Sequence, residues 1–204
     1  MTHLLLASDN PGKLKEFAHF FQTLPGSPWE LHLKPADLQL QETGETFAAN
    51  AQEKAEIVAR ATRSWSIADD SGLEVEALGG APGVYSARYA DTDPARMQRL
   101  LQELAAALRQ QGKDPDDLGL RTARFACAIA LCTPEAKVAV VVEGYCQGQI
   151  LLQPQGSGGF GYDPLFWVPA RQQSFAEMSA AEKQEISHRG QALALLRTKL
   201  LELG

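Results

Sequence analysis

Two adjacent carboxylates, Asp69 and Asp70, are the residues whose types and spacing point most directly to chemistry. They stand in ADDSG, after an apolar segment that predicts a buried strand, and open α/β sheets place their ligands at the carboxyl ends of such strands. Neighbouring carboxylates repel each other unless a divalent cation or a proton offsets the repulsion. Mg2+ prefers oxygen ligands and suits a triphosphate. The simpler alternative is an exposed turn with a capping Asp.

A second candidate site is the segment SDNPGK, residues 8–13, where a predicted strand passes into a predicted helix. The unpaired N–H groups and the dipole at a helix start favour an anion, and Lys13 adds a full positive charge. The Walker A spacing GxxxxGK[ST] is absent. The alternative is an ordinary helix start, capped by Asp9 or Asn10, with a lysine in solvent.

The segment QETGETFAANAQEKA carries further polar candidates on either side of a predicted helix start. Glu42 lies in the loop before the helix, where it can face a metal. Asn50 and Lys54 fall one turn apart on a single helix face. Either could point into a cleft, but a solvated face is the default expectation. Glu53 is interpreted as an ordinary helix charge.

The last third of the chain contains a glycine cluster, GSGGFGYDP, and a short basic motif, SHRG. Glycines allow the backbone to approach a ligand closely, and the rings of Phe160 and Tyr162 are suited to stacking on a base. His188 and Arg189 open the last predicted helix, with Lys183 a short distance before them. Such groups read a purine edge or bind phosphate, although each is also common at a helix start or on a surface.

Periodicity predicts the elements that must position these groups. The predicted strands are residues 3–7, 29–33 and 66–69 and a hairpin of 121–132 with 137–150; the predicted helices are 14–24, 45–61, 94–110 and 188–203. Glycines and a proline between Gly79 and Gly83 predict loops after the third strand. Interleaved strands and helices around one long hairpin favour an α/β or α+β fold with a mixed sheet.

Composition limits the class of protein. A chain of 204 residues with a formal charge of -6 predicts one domain, residues 1–204, and argues against a nucleic-acid polymer as ligand, because that requires a clustered basic face. Three cysteines without a CxxC motif predict small core residues in a reducing compartment. No signal peptide and no window of roughly 18 apolar residues is present, so we expect a cytoplasmic protein without a membrane span.

Read in order, SDNPGK, ETGETF, ADDSGLEVEALGGAPGVYSARYA, GSGGFGYDP and EKQEISHRGQAL resemble the inosine/xanthosine triphosphate pyrophosphatase family. The resemblance extends from Leu4 to about Leu196. It implies hydrolysis of ITP, dITP and XTP to the monophosphate and pyrophosphate, with Mg2+ as cofactor. It also implies a mixed twisted sheet with flanking helices, two lobes around a central cleft, and a homodimer.

The same resemblance implies a role for each matching residue. Asp70 is the proton acceptor and, with Glu42, a ligand of Mg2+. The substrate is held by Ser8, Asp9, Asn10, Pro11, Gly12 and Lys13 at the triphosphate, by Ser71, and by Phe160, Gly161, Tyr162, Asp163, Lys183, His188 and Arg189 around the base.

The chain departs from the family pattern at two places. Ser8-Asp9 replaces the Thr-Gly of many relatives, so the added charge of Asp9 is expected to point away from phosphate. Gln41-Glu42 replaces a Glu-Glu pair, so either the Gln41 carbonyl or Glu42 faces the metal. Two other functions remain open: a non-catalytic nucleotide-binding module, and a related pyrophosphatase that prefers pyrimidine or modified-base triphosphates.

Overall fold

The structure is a computed structural model that describes residues 2–24 and 26–203. Its sheet has seven strands in the order β2-β1-β3-β4-β5-β6-β7. The strands are β1 (Thr2–Leu6), β2 (Trp29–Leu33), β3 (Trp65–Val75), β4 (Thr122–Cys132), β5 (Val138–Ile150), β6 (Phe166–Val168) and β7 (Gln173–Ser174). β1 runs parallel to β2 and β3, whereas β6 is antiparallel to β5 and β7. The predicted mixed sheet is confirmed.

The α-helices of the described residues are α1 (Pro11–Thr23), α2 (Phe47–Thr62), α3 (Asp93–Gln110), α4 (Ala180–Ile186) and α5 (His188–Leu203). Among the described helices, none combines the length and the hydropathy that crossing a membrane requires. The contacts of the chain define two compact units. The first comprises Met1–Asp70, Cys127–Gly144 and Gln191–Gly204, and the second comprises Ser71–Ala126 and Tyr145–Gly190.

In the first unit, apolar side chains of strands and helices form one core. The apolar residues of α1 recur at helical spacing and lie on one buried face. The cluster contains Leu4, Leu6, Phe17, Phe20, Phe21, Leu24, Ile67, Cys127, Ile129, Leu131, Val140, Val142, Ala192, Leu193 and Leu196. α1 connects β1 to its parallel neighbour β2, as parallel strands require a crossover. The predicted strand, turn and helix at the start of the chain are confirmed.

The second unit has its own core, to which α3 contributes Leu100, Leu104 and Leu108 at intervals of four residues. Three phenylalanines also belong to this core: Phe125 of β4, Phe166 of β6 and Phe175, which directly follows β7. The ring centroids of Phe125 and Phe166 are 4.6 Å apart. All three cysteines are buried, as predicted for small core residues.

The long hairpin of β4 and β5 is confirmed. The Thr133 N–H donates to the Lys137 carbonyl at 2.9 Å at the turn, and the Ile150 N–H donates to the Arg121 carbonyl at 2.9 Å at the open end. Those two bonds define an antiparallel pair. Predicted helix 188–203 also corresponds to α5, His188–Leu203.

Two predictions of secondary structure were wrong. β3 does not end at Asp69 but continues to Val75, so the acid pair lies within the strand. The strand continues because Leu73 and Val75 are fully buried, and burial outweighs the turn preference of the neighbouring Ser and Gly residues. The helix α4 lies outside the predicted helices, in a segment without helical periodicity. A capping box formed by Ser179 and Glu182 begins this helix.

Candidate active site

Asp69 and Asp70 pair with different lysines. Successive side chains of a strand point to opposite faces, so Asp69 and Asp70 lie on opposite faces of β3. On each face, one lysine lies beside the carboxylate. Asp69 is 1% exposed, and its Oδ1 lies 3.0 Å from Lys13 Nζ. Asp70 Oδ1 lies 3.3 Å from Lys54 Nζ. Repulsion between the two acids is therefore offset by two lysines rather than by one shared cation.

Lys54 bridges two carboxylates. Its Nζ donates to Glu42 Oε1 at 2.6 Å as well as to Asp70 Oδ1, and its side chain is 6% exposed. Asn50, one turn earlier on α2, donates from Nδ2 to Asp70 Oδ2 at 3.0 Å. The prediction that Asn50 and Lys54 lie on a solvated face was wrong. We call Glu42, Asn50, Lys54 and Asp70 the acid cluster.

Burial and the charges of the acid cluster together shift the pKa values of Asp70 and Lys54. Burial raises the pKa of Asp70, and this effect outweighs the opposing influence of Lys54 and of the Asn50 hydrogen bond. Burial alone would lower the pKa of Lys54, but the attraction of Asp70, Asp69 and Glu42 raises it overall. The cluster therefore holds a charged ammonium beside a carboxylate with increased proton affinity, which is the property required of a general base.

The loop before α2 is fixed to the helix by Glu53 and Asn50. The N–H and hydroxyl of Thr43 donate to the Glu53 carboxylate at 2.7 and 2.9 Å, so Glu53 is not an ordinary surface charge. The Gly44 N–H donates to Asn50 Oδ1 at 2.8 Å, and a Cβ on Gly44 would lie 2.9 Å from that atom. These bonds place Glu42 at Lys54, whereas Gln41 is exposed.

SDNPGK forms the start of α1, as predicted, with Asn10 and not Asp9 as its cap. Asn10 Oδ1 accepts from the Gly12 N–H at 2.8 Å, and Ser8 Oγ accepts from the Asn10 N–H at 3.1 Å. Lys13 is not a solvent-exposed lysine, because its side chain is 17% exposed and paired with Asp69. Ser8 and Lys13 therefore lie in the same unit as the acid cluster, with Asp69 and Asp70 adjacent on β3.

Asp9 is compensated by a buried lysine. Its side chain is 81% exposed, and its Oδ1 lies 2.9 Å from Nζ of Lys34, whose own side chain is 2% exposed. The same ammonium donates to the Leu38 carbonyl at 2.9 Å. Lys34 therefore orients the Asp9 carboxylate and neutralises its charge.

For the nucleoside triphosphate that the resemblance implies as substrate, we expect Lys34→Met to raise the KM about three- to tenfold, because Asp9 then stands uncompensated beside a polyanion. Turnover at saturation should change little. Steady-state kinetics on Lys34→Met, Asp9→Asn and the double variant separate the causes. The double variant should recover the wild-type KM; if it stays as weak as Lys34→Met, Lys34 acts through the 35–38 loop and not through Asp9.

In the second unit, Asp163 organises the glycine cluster. Its carboxylate, 3% exposed, accepts from the Phe160 N–H at 2.9 Å and pairs with Lys183 Nζ. Lys183 Nζ also lies 4.9 Å from the centroid of the Phe160 ring, which is 53% exposed. Gly159 has a φ of 73°, and a Cβ there would collide with the Asp163 carboxylate, so only glycine fits. Phe160, Asp163 and Lys183 are therefore brought together, and their role around a base stays a prediction.

His188, Arg189 and Ser71 also lie in the second unit. Arg189 is buried, and its Nη2 donates to Ser71 Oγ at 3.1 Å. The His188 ring stacks on Phe125 at 4.8 Å between centroids, and Phe125 stacks on Phe175 at 5.7 Å. Lys183 Nζ lies 5.2 Å from the Phe175 centroid. A row of aromatic rings therefore connects the His188 side chain to Lys183.

Tyr162 does not present its ring to solvent. The residue is 4% exposed, packs in the apolar core of the second unit, and donates from its hydroxyl to the Ser86 carbonyl at 3.0 Å. Burial raises the pKa of this hydroxyl. The hypothesis that this ring stacks on a base was wrong, and the exposed ring suited to stacking is that of Phe160.

Sequence reasoning missed the roles of Asn50, Lys54 and Lys34. One signal was available for the first two, because they fall on the same helical stripe as Ala51, Ala55 and Val58, all fully buried. Polar residues on an apolar stripe are buried, and a buried polar group needs a partner. Lys34 offered no such signal, since its partner Asp9 belongs to a distant part of the sequence.

The chain is similar to characterised proteins over nearly its whole length. A sequence model of the Ham1 family matches residues 4–199. Its curated relatives include proteins named dITP/XTP pyrophosphatase. One, from a Nostoc species, is 49% identical over 97% of this chain and 93% of the relative. Another, from Thermosynechococcus vestitus, is 51% identical over 97% of this chain and 94% of the relative. The solved structure of a HAM1 protein from Coxiella burnetii is 40% identical, covers 99% of this chain and 100% of that one, and has a TM-score of 0.86.

Proposed function

The chain belongs to the Ham1 family, and we propose that it hydrolyses non-canonical purine nucleoside triphosphates to the monophosphate and pyrophosphate. Its relatives' names give dITP and XTP as substrates, and ITP carries the same base as dITP. The observation that carries the proposal is the acid cluster, in which Asp70 has a raised pKa beside a charged lysine. A module that only binds nucleotides has no need of such a carboxylate.

Glu42 and Asp70 fit a divalent metal, and Mg2+ is the cation we propose. Their carboxylates converge on one ammonium, Lys54 Nζ, so this position already attracts positive charge. The donors are all oxygen atoms, as Mg2+ prefers. When bound, the cation would neutralise phosphate charge and polarise a phosphoryl oxygen.

Hydrolysis between the α- and β-phosphates needs a neutralised polyanion, a positioned water and a base for its proton. We assign the base to Asp70. Water gives its oxygen to phosphorus and its proton to Asp70 while the bond to pyrophosphate breaks. Lys13, Ser8 and the start of α1 bind the phosphates in this proposal, and Lys54 keeps Glu42 and Asp70 in place.

We assign base recognition to residues of the second unit. Hypoxanthine and xanthine share a 6-keto oxygen, so donors fixed at that atom accept them and remain unpaired against the 6-amino group of adenine. The Phe160 N–H donates to Asp163, and we assign the donors for the 6-keto oxygen to His188 and Arg189 of the SHRG motif. The exposed Phe160 ring offers a surface on which the base stacks.

The homodimer implied by the resemblance is part of the same proposal. Tyr85 is a large side chain that is 63% exposed, and it lies in the 3-10 helix Gly83–Arg88. This helix belongs to the segment 78–89, whose apolar and aromatic residues suit either an interface or a cleft wall. The dimer stays a prediction.

A panel of nucleoside triphosphates tests the proposed function. With Mg2+ present, ITP, dITP and XTP should yield pyrophosphate and monophosphate in equal amounts, at kcat/KM values at least about a hundredfold above that for ATP. Removal of the metal with a chelator should abolish turnover. The proposed function would be contradicted by release of orthophosphate. A preference for pyrimidine triphosphates would instead identify the related pyrophosphatase, and nucleotide binding without turnover would identify the non-catalytic binding module.

A further inference from the structure

Two histidines and a glutamate meet on the surface of the first unit, on residues that the acid cluster does not include. His3 lies on β1, and Glu30 and His32 lie two residues apart on β2. In the parallel register of these strands His3 is opposite Glu30, and Leu5 is opposite His32. Because side chains two residues apart share a face, the pairing directs His3, Glu30 and His32 to the same side of the sheet.

The three side chains lie at the spacing of ligands around one ion. His3 Nδ1 is 3.0 Å from His32 Nε2, His32 Nε2 is 3.4 Å from Glu30 Oε1, and His3 Nδ1 is 3.8 Å from Glu30 Oε2. Ligand atoms about 2.0–2.1 Å from a tetrahedral Zn2+ lie about 3.3 Å apart. Among the described residues, this is the one group of three His, Cys, Asp or Glu residues whose ligand atoms all lie within 4.8 Å.

The chemistry of this group favours a transition metal over Mg2+. Two neutral imidazoles with ring nitrogens 3.0 Å apart satisfy only one donor and one acceptor, whereas a cation between them receives a lone pair from each. Imidazole suits Zn2+, Ni2+ and Cu2+, while the carboxylates of the acid cluster suit Mg2+. The side chains of His3, Glu30 and His32 are 67%, 48% and 42% exposed, so the remaining coordination positions are accessible to water.

We propose that His3, Glu30 and His32 form a surface site for a transition-metal dication, with Zn2+ as the ion it takes in the cell. Bound metal would connect β2, the edge strand of the sheet, to β1. Since the ion binds the folded arrangement and not the separated strands of the unfolded chain, it would stabilise the first unit. The proposal does not depend on the proposed hydrolytic function.

The test uses untagged full-length protein in millimolar Mg2+, so that the acid cluster does not take up the added Zn2+. We expect one Zn2+ per chain to be bound in competition with a chromogenic chelator, with a Kd in the micromolar range or below. Loss of an outer-sphere group alone weakens metal binding about 10- to 100-fold, so His3→Asn and His32→Asn should each weaken it at least tenfold. Co2+ should give the visible absorption band of a low-coordinate site in the wild type only.

His19→Asn is the matched control, because His19 is an exposed histidine of α1 away from this group. It should bind Zn2+ like the wild type. At a hundredfold excess over Kd, Zn2+ should raise the Tm of the wild type and of His19→Asn by roughly 5–10 °C, and that of His32→Asn by much less. Equal Zn2+ binding by His3→Asn, His32→Asn and the wild type would overturn the proposal, as would failure of the wild type to bind Zn2+ under these conditions.

Discussion

Asp70→Asn is expected to lower kcat for ITP about 100- to 10,000-fold at saturating Mg2+, because the amide cannot accept the proton of the attacking water. The variant retains the size of the side chain and one oxygen, which can still accept from Lys54 Nζ, while its NH2 group replaces the oxygen that accepts from Asn50 Nδ2. The expected loss is therefore in turnover more than in KM. Pyrophosphate release under saturating substrate and metal measures it.

Stability separates this loss from unfolding. Burial raises the folded-state pKa of Asp70 above its ordinary value of 3.8, so the ionised carboxylate costs stability as the pH rises from that value through the folded pKa. At neutral pH the amide removes this cost, and Asp70→Asn should remain folded. Asp117→Asn makes the same change at an exposed cap and should keep wild-type turnover. Near-normal turnover of Asp70→Asn would remove Asp70 from the role of base.

The pH dependence of wild-type kcat/KM is a second test of Asp70 as the base. Only ionised Asp70 accepts a proton, so kcat/KM should fall as the pH drops through its raised pKa. Because a bound cation lowers the pKa of a carboxylate that binds it, the acid limb should move to lower pH as the Mg2+ concentration is raised.

Elements with strong apolar periodicity were predictable from the sequence. The helix α1 and the strand β2 agree with the predictions because their apolar side chains recur at the period of the element. The hairpin of β4 and β5 and the helix α5 also agree, although β4 is buried on both faces and α5 has leucines on its exposed side. The strand β3 is longer than predicted. Ser71 and Gly72 have local turn preferences, whereas the burial of Leu73 and Val75, which extends the strand, depends on neighbours distant in sequence. α4 lacks an apolar face and has no buried residues.

The site was predictable where a motif carried it and not where it depends on tertiary contacts. The motifs indicated Asp70, Lys13 and Asp163, but the partners of these residues come from other elements. Lys54 was interpreted as solvated because a lysine on a helix usually is, and only the acids of β3 make its burial favourable. Similarly, the compensation of Asp9 by Lys34 requires the end of β1 to lie beside the end of β2, where the Lys34 N–H donates to the Leu6 carbonyl.

Lys54→Met should cost both stability and activity, because it leaves the Glu42 and Asp70 carboxylates without the ammonium that they share. Removing one partner of a fully buried ion pair costs about 3–5 kcal/mol, and the 30% exposure of Glu42 reduces our expectation to about 2–4 kcal/mol. Urea unfolding measures this difference. The exposed Lys15→Met on α1 is the control and should unfold like the wild type.

In the same variant kcat should fall at least about a hundredfold, since the two carboxylates lose the cation that positions them. Lys54 lowers the pKa of Asp70 against the effect of burial, so its removal should also move the acid limb of kcat/KM to higher pH. Mg2+ should recover part of the lost stability of Lys54→Met and little of that of a Lys54→Met/Asp70→Asn double variant, because a cation held by Glu42 and Asp70 replaces the ammonium. If Mg2+ stabilises both variants equally, the metal binds elsewhere, and Glu42 and Asp70 are not its ligands.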